Sequence, residues 1–529
     1  QIAEHLSPVD AAATTAQCLE MAGDIDAART HYFRTLELQP DDAQNCWLVA
    51  SFLLRLNEVD EAEQLLQRAI DIGEPLNIIV AARRARAVLL SARGTATTYQ
   101  QAVQLIDANL ETGRSPDDLR VKTRLLALRP SRRNHQQIIA ILTDLDRERS
   151  LTDEDTVRLA RAYFATGEAK RAEELMRVTV ARRRTSTELL AGCLDVTFTY
   201  APDSGDLQSW LDSLVSLEPD TFRTRELQIR QFAFRDQADR AIEQIRKILA
   251  DATPEEKTET SLRLANALSR LLQGLEDNGH SITADRLAIE TEQLYRDVAE
   301  AQPEHLLTLA RYLSFRWQPV DALAVCDQAR QECDPEEVAA TYVEVILMHG
   351  VESGTAESIR EWFLSELEEH PDSPIMHLHF AGFAQLIREY ELATRHYRRT
   401  IELAPGAAAA WNELAVLLLL HYDNKKEALP AIQTAIELEG EHPALLDTHA
   451  MVLIAMQQYD EAAKLLEQAI AENPSPVYYF HLAQALLPSS RTSARNALQT
   501  GIRLGLRTTA LHPLERPGYQ QLTSELGEN

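Results

Sequence analysis

In this chain of 529 residues, few side chains have the type and spacing that chemistry needs. His377 and His379, in MHLHF, form the best metal-like pair, since two nearby imidazoles can share an ion once a carboxylate or thiolate joins them. No Asp, Glu or Cys stands beside them at ligand spacing, so the pair predicts packing instead of coordination. Asp41 and Asp42 are adjacent carboxylates, yet they directly follow Pro40 and have no partner acid or nucleophile nearby in sequence. They read as a helix start, where negative charge meets the positive end of the helix dipole. The five cysteines, Cys18, Cys46, Cys193, Cys326 and Cys333, are odd in number and lack CxxC spacing, which points to small buried residues and not to zinc or a disulfide framework. No glycine-rich phosphate loop, no His-Glu-x-x-His zinc helix and no serine elbow occurs. No catalytic residue, metal or cofactor is therefore expected.

Charge narrows the classes further. The formal net charge is -28, distributed as -6 over residues 1–50, 0 over 51–250 and -22 over the remainder. An acidic surface opposes binding to a phosphate backbone, so no nucleic-acid partner is expected. The basic runs RRAR (83–86), RPSRR (129–133) and RRR (182–184) read as solvated helix ends. The longest apolar run, LAVLLLLHY (414–422), is about half of the roughly 20 residues that cross a bilayer, so direct membrane insertion is not expected. The first residues lack a basic start followed by an apolar core, although the chain begins at Gln1 and not at Met. A cytoplasmic chain is expected over a secreted one, with peripheral envelope association if a signal preceded Gln1.

These residues must be positioned by helices. In YDEAAKLLEQAIAENP (459–474), Tyr459, Ala462, Leu466, Ala469 and Ile470 fall on one stripe at helical spacing, and the stretch ends at Pro474. YELATRHYRRTIELAP (390–405) has the same layout, and Ala393 and Ala462 are 69 residues apart, about twice a 34-residue period. The same ruler finds Ala28, Ala62, Ala102, Ala172, Leu207, Ala241, Ala322, Ile359, Ala393, Ala428, Ala462 and Ala494, with room for two more units near 135–145 and 284–303. About fourteen units result.

The clearest units resemble tetratricopeptide repeats, whose pattern is roughly W-x2-L-G-x2-Y…A-x3-F…P. Trp411, Leu414, Ala415 and Leu418 fill the first-helix positions of one unit, and Leu159, Ala160, Tyr163, Gly167, Ala172 and Met176 span another. Ala16, Leu19, Ala28, Tyr32 and Pro40 do so at the start, followed by Ala50, Leu53, Ala62, Leu66 and Ala69. The resemblance implies an all-α fold, a right-handed α-α superhelix (solenoid) of helix-turn-helix repeats. Small residues at the eighth and twentieth positions of each repeat let its two helices cross closely. Signature residues thin out around 76–150, 187–219 and 254–300. The expected organisation is an N-terminal sub-array over 1–253, an irregular long-helix joint over 254–303, a C-terminal sub-array over 304–509 and a capping tail over 510–529.

Repeats of this family commonly use the second, fifth, ninth, twelfth and thirteenth positions of the first helix to line a concave ligand groove. Counting from the small eighth residue places Leu378, Leu386, Val416, Leu419, Leu420, Met451 and Ile454 on that face, as an apolar strip in the acidic part of the chain. They pack within the array, or they receive an amphipathic helix or extended apolar segment. In weaker units the ninth position holds Arg161, Arg230 and Arg311, which either pair with nearby Glu and Asp or grip a partner's acidic tail. The fifth positions lack the Lys and Asn set with which family members clamp a C-terminal carboxylate. The expected function is a protein–protein interaction scaffold, binding a protein or peptide, and not an enzyme. The alternative is a regulatory or substrate-recognition region of a larger kinase, protease or glycosyltransferase, and a third reading is a peripheral scaffold in an envelope or secretion assembly. The sequence sets no oligomeric state.

Overall fold

The computed structural model describes residues 6–94 and 96–527, and among them regular structure is entirely helical: 29 α-helices and two short 3-10 turns. They divide into two compact units, Gln1–Gly167 and Glu168–Asn529. The first unit holds four antiparallel helix pairs, from Pro8–Met21 with Ile25–Leu38 to Pro116–Leu128 with Arg132–Arg147, followed by Asp153–Ala165. The second begins with Ala169–Arg182 and continues through nine pairs, from Thr187–Tyr200 with Asp206–Leu217 to Pro476–Leu486 with Arg491–Arg503. It closes on the single helix Arg516–Leu526.

Each helix starts and stops for a local reason. Asp42, Ser186, Thr221, Asp334, Ser373 and Ser490 each accept a hydrogen bond from a first-turn backbone N–H, and proline opens several helices where an N–H would go unused. Asp42, half of the adjacent acidic pair, thus caps Ala43–Arg55. Between the two helices of most pairs the chain reverses through one left-handed residue: Gly23, Asn57, Asp236, Trp317, Arg388 and Gln457 occupy this place. The following N–H bonds back to the first helix, as from Glu389 to the Ala384 carbonyl at 2.8 Å and from Gln318 to Leu313 at 2.9 Å. Trp317 adopts this conformation (φ 59°) while 77% exposed, where glycine would avoid about 1–2 kcal/mol of steric cost.

The periodic alanines sit at the centre of the packing. Of the twelve ruler positions, all are fully buried except Leu207, which is 5% exposed. Eighth-position alanines stand twelve residues before several of them, and the pairs Ala16 with Ala28, Ala381 with Ala393 and Ala450 with Ala462 each lie in one core cluster. The helix over 459–472 buries Ala462, Ala463, Leu466 and Ala469, while Tyr459 and Ile470 are half-buried. The irregular segment folds as two 21-residue helices, Lys257–Asp277 and Ser281–Ala301, joined by the Tyr295 hydroxyl donating to Asn266 Oδ1 at 2.8 Å.

The last helix packs Leu522 and Leu526 against Phe480 and Leu498. A buried ion network fastens it. His481, 1% exposed, meets Asp447 Oδ1 through Nδ1 and Glu515 Oε1 through Nε2, both at 2.7 Å. Burial opposes its charge, but the two carboxylates outweigh burial and push the imidazole up to about 10.

Two outcomes are expected. Ala462→Leu should overpack the helix crossing and destabilise the 443–472 pair by about 1–3 kcal/mol, measured as lost hydrogen-exchange protection there; unchanged protection would refute the register. Because the folded-state pKa of His481 lies above its ordinary 6.5, its contribution is complete below that value and lost as pH rises through about 10. Protection of Arg516–Leu526 should therefore hold at neutral pH and fall through that range, and His481→Leu should remove it at neutral pH.

Candidate functional site

The residues with metal-like spacing are engaged in packing. His377, 7% exposed, directs Nε2 to the Pro371 carbonyl at 3.1 Å and Nδ1 to His396 Nδ1 at 2.8 Å. One unit later Trp411 donates its indole N–H to the Pro405 carbonyl at 2.9 Å, so the two side chains do the same work at equivalent places. Burial and the neighbouring His377 pull His396 down to about 4. Among the described residues no group of three or more His, Cys, Asp or Glu is placed to hold a metal ion, and no helix is long and apolar enough to cross a membrane. All five cysteines are free thiols; Cys46, Cys193 and Cys326 are buried, Cys333 is half-buried and Cys18 is exposed.

Three successive first helices, Pro374–Leu386, Ala408–Leu420 and Pro443–Ala455, carry the predicted apolar strip. Leu378, Leu386, Val416, Leu420, Met451 and Ile454 are all half-buried: each leans on the core and keeps part of its surface open. Leu419 differs, being 7% exposed and a member of the core cluster behind the strip. The ninth-position arginines separate as well. Arg230 donates to Asp195 Oδ1 at 3.1 Å and Glu226 Oε1 at 2.6 Å, and Arg311 donates to Glu344 Oε2 at 2.9 Å. Arg161 is exposed in the first unit.

The spacing argument did not single out the polar centre of the strip. Glu413 is the only ionisable residue of Ala408–Leu420, whose sequence is AAAWNELAVLLLL. It receives N–H groups from Gln385 at 3.0 Å and from its neighbour Asn412 at 3.1 Å. Among the described residues it forms no ion pair with Lys, Arg or His. Burial raises its pKa above 4.5, and the two amides only partly offset this. A single charge in an otherwise apolar helix was the sequence signal; the Gln385 contact, from the preceding unit, carried none.

Helix pairs stacked on alanine crossings define a repeat protein, and the comparisons identify the repeat. Family models described as tetratricopeptide repeat match residues 16–76, 387–444 and 448–501, and a second model of the same description matches 157–186. The chain carries tetratricopeptide repeats over these stretches. It is similar in fold to distant solved structures. The APC/C hetero-tetramer Cut9-Hcn1 is 12% identical, covering 94% of this chain and 97% of that one with a TM-score of 0.34. Yeast Tom70 is 14% identical, covering 98% and 99% with a TM-score of 0.33. Naa15/Naa10 bound to HypK-THB is 14% identical, covering 98% and 80% with a TM-score of 0.35. No curated protein matches the chain.

The Glu413 environment has a measurable consequence. A carboxyl whose pKa rises on folding stabilises the native state fully below its unfolded pKa and loses that contribution as pH rises through the folded one. Glu413→Gln, whose amide Asn412 can meet by turning over, should therefore melt higher than the parent at neutral pH, with the advantage shrinking as pH falls through the raised pKa toward 4.5 and gone below it. A variant that melts lower at neutral pH would show that the carboxylate is already well satisfied.

Proposed function

We propose that the chain is a protein-interaction scaffold that takes an amphipathic helix or an extended apolar segment of a partner along the first helices over 374–455. The supporting observation is the strip itself. Six half-buried apolar side chains, Leu378, Leu386, Val416, Leu420, Met451 and Ile454, recur at ligand-contacting positions of three successive units. Apolar anchors that become fully buried on binding supply most of the affinity of such an interface. The recurring arginines support a second contact, to an acidic segment, best at Arg161, which is exposed; Arg230 and Arg311 would first have to leave their own carboxylates.

Val416→Arg and Met451→Arg each place a charge on the strip without touching buried Leu419. Capture of the partner from cell extract should fall about tenfold or more in both, while helicity by circular dichroism stays at the parent level. Capture at the parent level in both variants would remove the strip as the docking face.

A further inference from the structure

We propose that this groove is selective for a basic side chain: Glu413, cradled by Gln385 and Asn412, accepts an arginine guanidinium or lysine ammonium carried among the apolar anchors of the partner segment. The inference rests on the groove reading above and names the chemistry of its occupant.

The first ground is a surplus of acceptors. Each Glu413 carboxylate oxygen receives one amide N–H, from Gln385 Nε2 at Oε2 and from Asn412 Nδ2 at Oε1. The other ends of those amides, Gln385 Oε1 and Asn412 Oδ1, are buried without a hydrogen-bond partner among the described residues. Turning either amide over would set a carbonyl against the carboxylate, so the orientation follows from the charge. Negative and acceptor atoms thus gather at one place in an apolar surround, and half-buried Glu413 is the group an incoming donor meets. A cation with several N–H groups suits best: the guanidinium presents a planar fork of donors, and the ammonium a compact one.

The second ground is a comparison within the chain. Counting from the buried alanines Ala415 and Ala483 as eighth positions, Glu413 and His481 share the sixth position of their first helices. His481 finds its opposite charge in Asp447, at the fifth position of the unit before, and again in Glu515 beyond. The fifth position of the unit before Glu413 is Leu378, which has no charge to offer. His481 is thus matched from neighbouring units, and Arg158, at the sixth position before Ala160, by Glu154 and Asp155 of its own helix; for Glu413 the opposite charge comes from the partner. The third ground is range: the -22 carried by residues 251–529 draws a basic segment toward this part of the chain and repels an acidic one.

The test uses short randomised peptides displayed on phage, selected on the full chain. Binders that Val416→Arg no longer holds are carried forward as groove binders. They are expected to carry an Arg or Lys within one helical turn of an apolar anchor. Their affinity should fall about tenfold or more on Glu413→Gln, and should drop by a similar factor when that Arg or Lys is replaced by citrulline or norleucine. Circular dichroism and melting of Glu413→Gln confirm that it is folded. Groove binders without Arg or Lys enrichment, or with affinity unmoved by Glu413→Gln, overturn the inference and leave the groove standing. If no selected peptide is rejected by Val416→Arg, both the groove and this inference fall.

Discussion

Two helices approach most closely where neither presents more than a methyl group at the crossing, and ten of the twelve ruler positions are alanine. Everything else follows from that constraint. Ala16 with Ala28, Ala381 with Ala393 and Ala450 with Ala462 meet it at one spacing, twelve residues, which leaves room for one left-handed turn residue between the helices. Between Ala415 and Ala428 the spacing is thirteen, and the turn there absorbs the extra residue. With the crossing fixed, the outward face of each first helix is fixed too. Leu420, Met451 and Ile454 are then placed by the cores they pack against, in which those alanines lie.

Several of the more buried polar contacts join one unit to the next. Arg84 reaches Asp118, Arg120 reaches Asp155, and His481 reaches both Asp447 and Glu515, each 34 or 35 residues away. These are the interfaces at which a linear array acquires cooperativity, since each pair of helices touches little except its neighbours. Matching decides only part of how a buried charge fares there, since burial raises the Asp447 pKa even with His481 at 2.7 Å. Burial opposes ionisation at Glu515 but the facing imidazolium more than restores it, whereas Glu413, facing only amides, is pushed the other way.

Much of this was readable in the sequence because one residue type at one interval carries the fold. The ruler placed the second helices over 132–147 and 281–301 where signature residues had faded, since an amphipathic stripe survives the loss of its consensus. The long first helix before DNGH and the terminal helix after LHPLERPG were legible from proline, glycine and apolar spacing. Side-chain partners were less so. Leu419 and Val416 look alike at groove positions, but one turn of the helix tips Leu419 into the core. Asp195 and Glu344, which Arg230 and Arg311 meet, lie one unit away, on a helix whose rotation the sequence does not state. Glu413 stood out by composition alone, while its meaning depended on Gln385 across a unit boundary.

The order in which a ribosome delivers these contacts gives the terminal segment a particular part. Helix pairs that rest mainly on the preceding pair can dock one after another as they emerge. His481, like Arg84 and Arg120, waits for a group still to come: its second carboxylate arrives 34 residues later, with Glu515. Until then Phe480 and Leu498 lie open at the growing end, and His481 is matched on one side only. Nascent chains stalled between these residues should be the ones that chaperones hold longest.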